Sequence, residues 1–292
     1  MDAPPLRWGI LGTGWIASRF SASLLAHTCQ QVHAIGSRNL ATAERFASSV
    51  GHPAAYGSYE QLVTDPAVDI VYVATPHNHH HTHARLALEA GKHVVVEKPM
   101  GLGAAECRDL ASLADARGRF LMEAMWTLFL PKYDVIRQLL ESGALGTVHS
   151  VIADMGEHFD ADHRIMLADL AGGPMLDLGT YPVMLATWVL GESPTTATVV
   201  GSEATLTIDG PFYQPGGFTL TARDGRSLHF DEPRIGHAGL HWQAAEAARR
   251  IAAGELESPL RPVADTILTM EVMDEICRQA GITFAEASRP SA

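Results

Sequence analysis

Residues 6–17, Leu6-Arg7-Trp8-Gly9-Ile10-Leu11-Gly12-Thr13-Gly14-Trp15-Ile16-Ala17, decide how the chain folds. Leu6–Leu11 reads as a strand, and a helical stretch runs on through Leu25. The turn between them has the pattern G-x-G-x-x-A. Gly12 permits the tight turn, Gly14 lets a pyrophosphate approach the main chain, and the small Ala17 lets helix and strand pack closely. The helix start adds free N–H groups and the positive end of its dipole. In this strand–turn–helix setting the motif predicts dinucleotide binding through Gly12, Thr13, Gly14, Trp15 and Ile16.

Further along, the strand Val32–Gly36 ends in Ser37-Arg38-Asn39, where an NAD-binding fold carries an acidic residue for the ribose. A carboxylate would repel a 2′-phosphate, whereas a hydroxyl and a guanidinium bind one, so Ser37 and Arg38 predict NADP, with NAD as the alternative. A plainer role for Arg38 is stacking on the adenine. Ala41–Val50 reads as a helix, and Ser58-Tyr59-Glu60-Gln61 as a capping box opening another. The buried strand Asp69–Ala74 leads into Thr75-Pro76-His77-Asn78. A helix through Ala90 is stopped by Gly91 and followed by Val94-Val95-Val96-Glu97-Lys98-Pro99. Three consecutive β-branched residues mark a strand buried on both faces, which holds Lys98 at a carboxyl end, where open α/β sheets bind ligands. A surface lysine at a strand end is the plainer alternative. The helix Leu102–Arg117 and the strand Phe120–Glu123 complete an α/β unit, a Rossmann-type doubly wound parallel sheet over residues 1–123.

His77, His79, His80, His81 and His83 include two pairs spaced four apart, as helix-borne metal ligands are. No matching cysteine or carboxylate set lies nearby, so no metal is expected; the run opens a helix beside the cofactor crevice and reads as polar contacts to the nicotinamide ribose, with His77 and His80 as the candidates, or as side chains simply facing water.

The 292 residues suffice for two domains. A net charge of −12 argues against nucleic-acid binding, which needs a basic face. No apolar run reaches membrane-spanning length, and the first residues carry no secretory pattern and leave no room for a targeting segment. Cys29, Cys107 and Cys277 are scattered, which predicts reduced thiols and a cytoplasmic protein.

In the second half, Pro131–Ser142 reads as a helix stopped at Gly143, and Thr147–Asp154 alternates as a half-buried strand does. Thr205–Ile208, Phe218–Ala222 and Ser227–Phe230 read as strands, Leu240–Ala253 and Val263–Gln279 as helices. Residues 124–292 are therefore expected to form an α+β domain with an open, mostly antiparallel sheet. Asp177 and Tyr181, four apart at a helix start, read either as a proton-handling pair or as a cap and a core residue. His241 and Trp242 read either as an edge of the substrate pocket or, in preference, as a packed helix-start pair.

Gly12-Thr13-Gly14, Val73-Ala74-Thr75-Pro76, Ala90-Gly91-Lys92-His93-Val94 and Glu97-Lys98-Pro99, in this order and spacing, resemble the Gfo/Idh/MocA oxidoreductase family. Met122-Glu123-Ala124-Met125-Trp126-Thr127, followed by Pro131, is similar to its dimeric dihydrodiol dehydrogenase/NADP-dependent D-xylose dehydrogenase branch. The family's D-x-G-x-H motif falls on Asp177, Gly179 and Tyr181, with tyrosine in place of histidine, as in that branch. The resemblance implies hydride transfer between NADP(H) and a carbonyl or secondary alcohol of a sugar, polyol or diol. It implies Lys98, Tyr181 and Asp177 as the catalytic set, with Lys98 lowering the pKa of the Tyr181 phenol. Thr75, Pro76, His77, His80, Glu97 and Lys98 would line the cofactor; Trp126, Arg164, Asp177 and Tyr181 would meet substrate. A homodimer or larger homo-oligomer is implied. The alternative is a catalytically silent NADP-binding regulator, against which the retained Lys98, Asp177 and Tyr181 argue. Two departures stand out. Leu128 occupies a position where the branch often carries arginine, and Gly191–Val200 joins two elements so directly that about two strands of the second sheet, and with them its dimer edge, are in doubt.

Overall fold

A computed structural model of the chain describes residues 3–153, 155–160, 162–190 and 198–284. The first half alternates strand and helix: β1 (Arg7–Leu11), α1 (Trp15–His27), β2 (Gln31–Gly36), α2 (Leu40–Ser49), β3 (Ala54–Tyr56), α3 (Tyr59–Val63), β4 (Ile70–Val73), α4 (His80–Glu89), β5 (His93–Glu97), α5 (Ala104–Arg117) and β6 (Leu121–Ala124). Its strands pair in parallel in the order β3-β2-β1-β4-β5-β6. This is the doubly wound order, with the chain reversing direction across the sheet between β1 and β4. The unbroken apolar runs explain it: β4 and Val94–Val96 are wholly buried, each valine contributing roughly 1.5 kcal/mol or more of burial. Ser58 caps α3 by accepting from the Gln61 N–H. The three-residue β3 is too short to announce itself in sequence; edge pairing with β2 defines it.

The second half contains α6 (Pro131–Glu141), β7 (Val148–Ile152), α7 (Thr180–Leu190), β8 (Thr198–Gly201), β9 (Ala204–Ile208), β10 (Phe218–Ala222), β11 (Ser227–Phe230), α8 (His241–Ala252) and α9 (Val263–Ala280). Among the described residues its strands are five, antiparallel and ordered β11-β10-β9-β8-β7. One face carries Val151, Val199, Leu206 and Phe218 into a core shared with α6 and α7. Of the direct link expected over Gly191–Val200, residues 191–197 lie outside the described residues, and Thr198–Val200 correct the rest: they are part of strand β8, paired between β7 and β9.

Helix α9 leaves the second sheet and packs against α5 and α7. Between α8 and α9, buried Arg261 donates from Nε (3.0 Å) and Nη2 (2.8 Å) to Glu123 on β6. The other Glu123 oxygen accepts the Met100 N–H at 3.2 Å, so this buried pair also steadies the loop that follows Lys98. His241 pairs with Ser23 of α1 at 3.2 Å, the packed helix start expected of it.

Candidate active site

Lys98 emerges at the carboxyl end of β5, and its side chain is 11% exposed. Its Nζ donates to Asp177 Oδ1 at 2.9 Å and to the Asp177 carbonyl at 2.7 Å. It stands 5.1 Å over the Tyr181 ring. An ammonium has three donors, so one N–H remains for a further oxygen.

Asp177 lies in a π-helical turn, Met175–Gly179, immediately before α7. Such turns re-aim side chains at functional sites; here Asp177 and Tyr181 both reach Lys98. Arg164 takes the second carboxylate oxygen at 2.9 Å. Burial alone would raise the Asp177 carboxyl, but the Lys98 and Arg164 charges hold it well below the usual carboxylate range.

The Tyr181 hydroxyl accepts from Trp126 Nε1 at 3.1 Å. Burial, and then the Glu97 charge, push the phenol well above its usual pKa. This is opposite to the lowering expected from Lys98, whose charge is paired with Asp177. Tyr181 therefore stays protonated at neutral pH and presents an O–H donor. Glu97 is buried, accepts from the Tyr72 hydroxyl and from the Lys98 N–H at 3.2 Å, and is pushed up to about 7 by burial.

His77 is buried with Nε2 3.8 Å from Asp177 Oδ1, and burial together with His80 pushes it down to about 3, leaving it neutral. The expectation for His80 needs correction. It is 1% exposed, and its nitrogens lie 2.7 Å from the Pro99 and Thr75 carbonyls. Neither nitrogen is available to a cofactor; the ring instead ties the end of β4 to the residue after Lys98. Among the described residues no three His, Cys, Asp or Glu side chains converge as metal ligands do.

The β1–α1 turn fits a dinucleotide phosphate. Gly12 has φ +103, and a Cβ there would lie 2.5 Å from the Ala74 carbonyl. A Cβ on Gly14 would meet nothing within 4 Å, so the backbone is open to an incoming group. Gly14 caps the 13-residue α1 with no side-chain bond, which leaves the first N–H groups near Trp15 and Ile16 free. Thr13 is half-buried in the turn, and Trp15 is 58% exposed. Ser37 is buried after β2; Arg38 is exposed, and among the described residues no carboxylate pairs with it. Thr75 and Pro76 follow β4 beside His83, whose Nδ1 is 3.0 Å from Thr75 Oγ1.

Sequence reasoning missed three contributors. Tyr72, a tyrosine within a buried strand, needed a partner for its hydroxyl, and that was the available signal. His237 stacks on Trp126 at 5.5 Å and meets Trp15 edge-on at 4.7 Å. Tyr213 lies 4.9 Å from the Tyr181 ring. These last two come from segments remote in sequence, His237 from a short 3-10 turn before α8 and Tyr213 from the β9–β10 connection, where no spacing points to them.

Residues 6–125 match the oxidoreductase family with an NAD-binding Rossmann fold, GFO_IDH_MocA, and residues 133–251 match the GFO/IDH/MocA C-terminal domain. The chain belongs to the Gfo/Idh/MocA oxidoreductases. It is 32% identical to D-xylose 1-dehydrogenase (NADP(+)) of Hypocrea jecorina, over 96% of this chain and 93% of that one. It is 31% identical to trans-1,2-dihydrobenzene-1,2-diol dehydrogenase of Homo sapiens, over 97% and 99%. That alignment runs over 332 positions against 292 residues here, so this Gfo/Idh/MocA chain lacks residues that the human enzyme carries. Among solved structures, KijD10, a 3-ketoreductase from Actinomadura kijaniata in complex with NADP and TDP-benzene, superposes with a TM-score of 0.77 at 25% identity, over 98% of this chain and 100% of that one. Levoglucosan dehydrogenase, in complex with NADH and levoglucosan, shares the fold at a TM-score of 0.79 and 17% identity, over 95% and 97%.

Proposed function

We propose that this oxidoreductase transfers hydride between NADP(H) and a carbonyl or secondary alcohol carbon of a sugar, polyol or diol. The observation that carries the reading is Lys98 Nζ, fixed on Asp177 by two hydrogen bonds with a third N–H uncommitted, 5.1 Å over the protonated Tyr181. The nicotinamide, when bound, supplies the hydride. Lys98 directs its remaining N–H at the substrate oxygen and stabilises the negative charge that grows there on reduction. Tyr181 delivers the proton to that oxygen. Asp177 orients Lys98, and Arg164 fixes Asp177 in turn; Trp126 holds the Tyr181 hydroxyl. Gly12, Thr13, Gly14, Trp15 and Ile16 take the pyrophosphate, Ser37 and Arg38 the 2′-phosphate, and Thr75, Pro76 and His77 the nicotinamide side.

In this reading residues 1–123 bind NADP(H) and residues 124–292 bind substrate and meet a second copy. The D-xylose and dihydrobenzenediol names of the relatives support the substrate class, and the xylose enzyme's name supports NADP. The free thiols Cys29, Cys107 and Cys277 support residence in the cytoplasm. A panel of aldoses, inositols, diols and keto-sugars, followed by NADPH absorbance, tests the reading. Turnover of at least one class is expected; tight NADPH binding with no turnover of any would favour the silent regulator.

A further inference from the structure

Elements from three distant parts of the chain meet at one ring, that of His237. It sits on the 3-10 turn Gly236–Leu240 that leads into α8, and it is half-buried. It stacks on Trp126, with centroids 5.5 Å apart and planes 18° from parallel. It also meets Trp15 edge-on, at 4.7 Å and 82°. The turn is pinned to α1: the Ser23 hydroxyl donates to the Ala238 carbonyl and accepts the His241 N–H at 2.9 Å. The turn lies hard against Trp126 as well, since a Cβ on Gly239 would come within 3.4 Å of Trp126 Cζ3 and 3.1 Å of Leu130 Cδ2. Burial and then the Arg19 charge hold the His237 imidazole below its usual pKa, so the ring that stacks at neutral pH is the uncharged one.

Both partners of His237 belong to the site. Trp15 is the first residue of α1, where the leading N–H groups have no partner within the helix. Trp126 donates its Nε1–H to the Tyr181 hydroxyl at 3.1 Å. An indole N–H lies in the plane of its ring, so the tilt of Trp126 decides whether that bond is well aligned. With an acceptor position filled from Trp126, the Tyr181 proton is left to donate elsewhere. An aliphatic side chain in place of His237 would fill the space without favouring one tilt; a flat ring stacked on the indole favours one. We infer that His237 is a positioning residue: its ring holds the Trp126 indole in place against the cofactor turn, and through Trp126 it aims the Tyr181 hydroxyl at the reacting oxygen.

This role rests on the hydride-transfer reading above, and the experiment separates the two. The single-turnover rate of NADPH oxidation is followed on cyclohexane-1,2-dione and on D-fructose. Wild type is set beside His237→Ala, His237→Phe, Trp126→Phe and the double variant of His237→Ala with Trp126→Phe. His237→Ala should lower the rate about three- to tenfold, the worth of one aromatic pair, with NADPH binding by fluorescence nearly unchanged. Its solvent deuterium isotope effect should rise, because a loosely held phenol makes proton delivery more rate-limiting. His237→Phe keeps a flat ring and should recover most of the rate. In the Trp126→Phe background, where the indole N–H is gone, His237→Ala should cost no further rate. A loss that adds in full to that of Trp126→Phe, or that leaves the isotope effect unmoved, would make His237 a packing residue and overturn the inference, with hydride transfer intact. An unchanged rate in His237→Ala would overturn it equally. Wild-type enzyme that reduces neither compound, nor turns over any of the wider panel, would overturn both.

Discussion

The two sheets of this molecule use opposite faces of sheet chemistry. The parallel sheet is buried on both sides, and what it presents is its carboxyl edge: Gly12 after β1, Ser37 and Arg38 after β2, Thr75 after β4, Lys98 after β5. Among the described residues the antiparallel sheet is covered on one side only. Its outer face carries two cross-strand rows, Ile152–Thr198–Thr207–Thr219–His229 and Ser150–Val200–Thr205–Thr221–Ser227. Neither row contains Asp, Glu, Lys or Arg. Strand ends hold single groups at fixed points, as chemistry requires. A broad uncharged face suits contact over area. Perturbing each sheet at its edge or its face tests this division.

The largest effect is expected at the edge. Lys98→Met should lower turnover by about 10²–10³, the usual consequence of removing one donor to a developing oxyanion. NADPH binding, followed by fluorescence, should survive. Parallel loss of binding and turnover would make Lys98 a cofactor residue instead. Next comes the tie between the two halves. Arg261→Ala leaves Glu123 as a buried carboxylate without its cation, which costs about 3–5 kcal/mol. The urea midpoint should fall with an unchanged m-value. Because Glu123 also holds the Met100 N–H, turnover of the surviving folded enzyme should fall as well. At the β2 end, Arg38→Ala should weaken NADPH binding about tenfold or more, the worth of a charged hydrogen bond, and leave NADH nearly unaffected. Equal weakening of both would reduce Arg38 to stacking on the adenine.

The parallel sheet was legible because its signals are local. A glycine turn sits between two periodic segments, and the short β-branched run Val94–Val96, bounded by Gly91 and Pro99, favours a buried strand. Lys98 followed from its place at the end of that run. The second half was less legible. Strand β8 is four residues long and is defined by its pairing with β7 and β9. Asp177 and Tyr181 were visible as a pair, but sequence did not reveal the π turn that brings both to Lys98, nor the claim of Arg164 on Asp177. The protonated state of Tyr181 was hidden for a related reason. Its pKa depends on burial and on Glu97, which lies far away in sequence and reaches it only through the fold. His80 looked like a ligand contact because a histidine beside a crevice offers two nitrogens, and only the fold shows both turned to backbone carbonyls.

The smallest effect on stability, and the sharpest contrast with Lys98, is expected on the open face. Thr207 is exposed at the centre of its row, between Thr198 and Thr219. Thr207→Glu should change folding stability by no more than about 0.5 kcal/mol, since it disturbs no core contact. If a second copy covers this face, the variant would bury an unpaired carboxylate at the interface, an outcome costly enough to dissociate it. Sedimentation velocity should then show a wild-type dimer and a Thr207→Glu monomer, each binding NADPH equally well. A dimer that survives the substitution would move the interface off this sheet. The uncharged rows would then need another explanation, and the contrast between edge and face would hold for the parallel sheet alone.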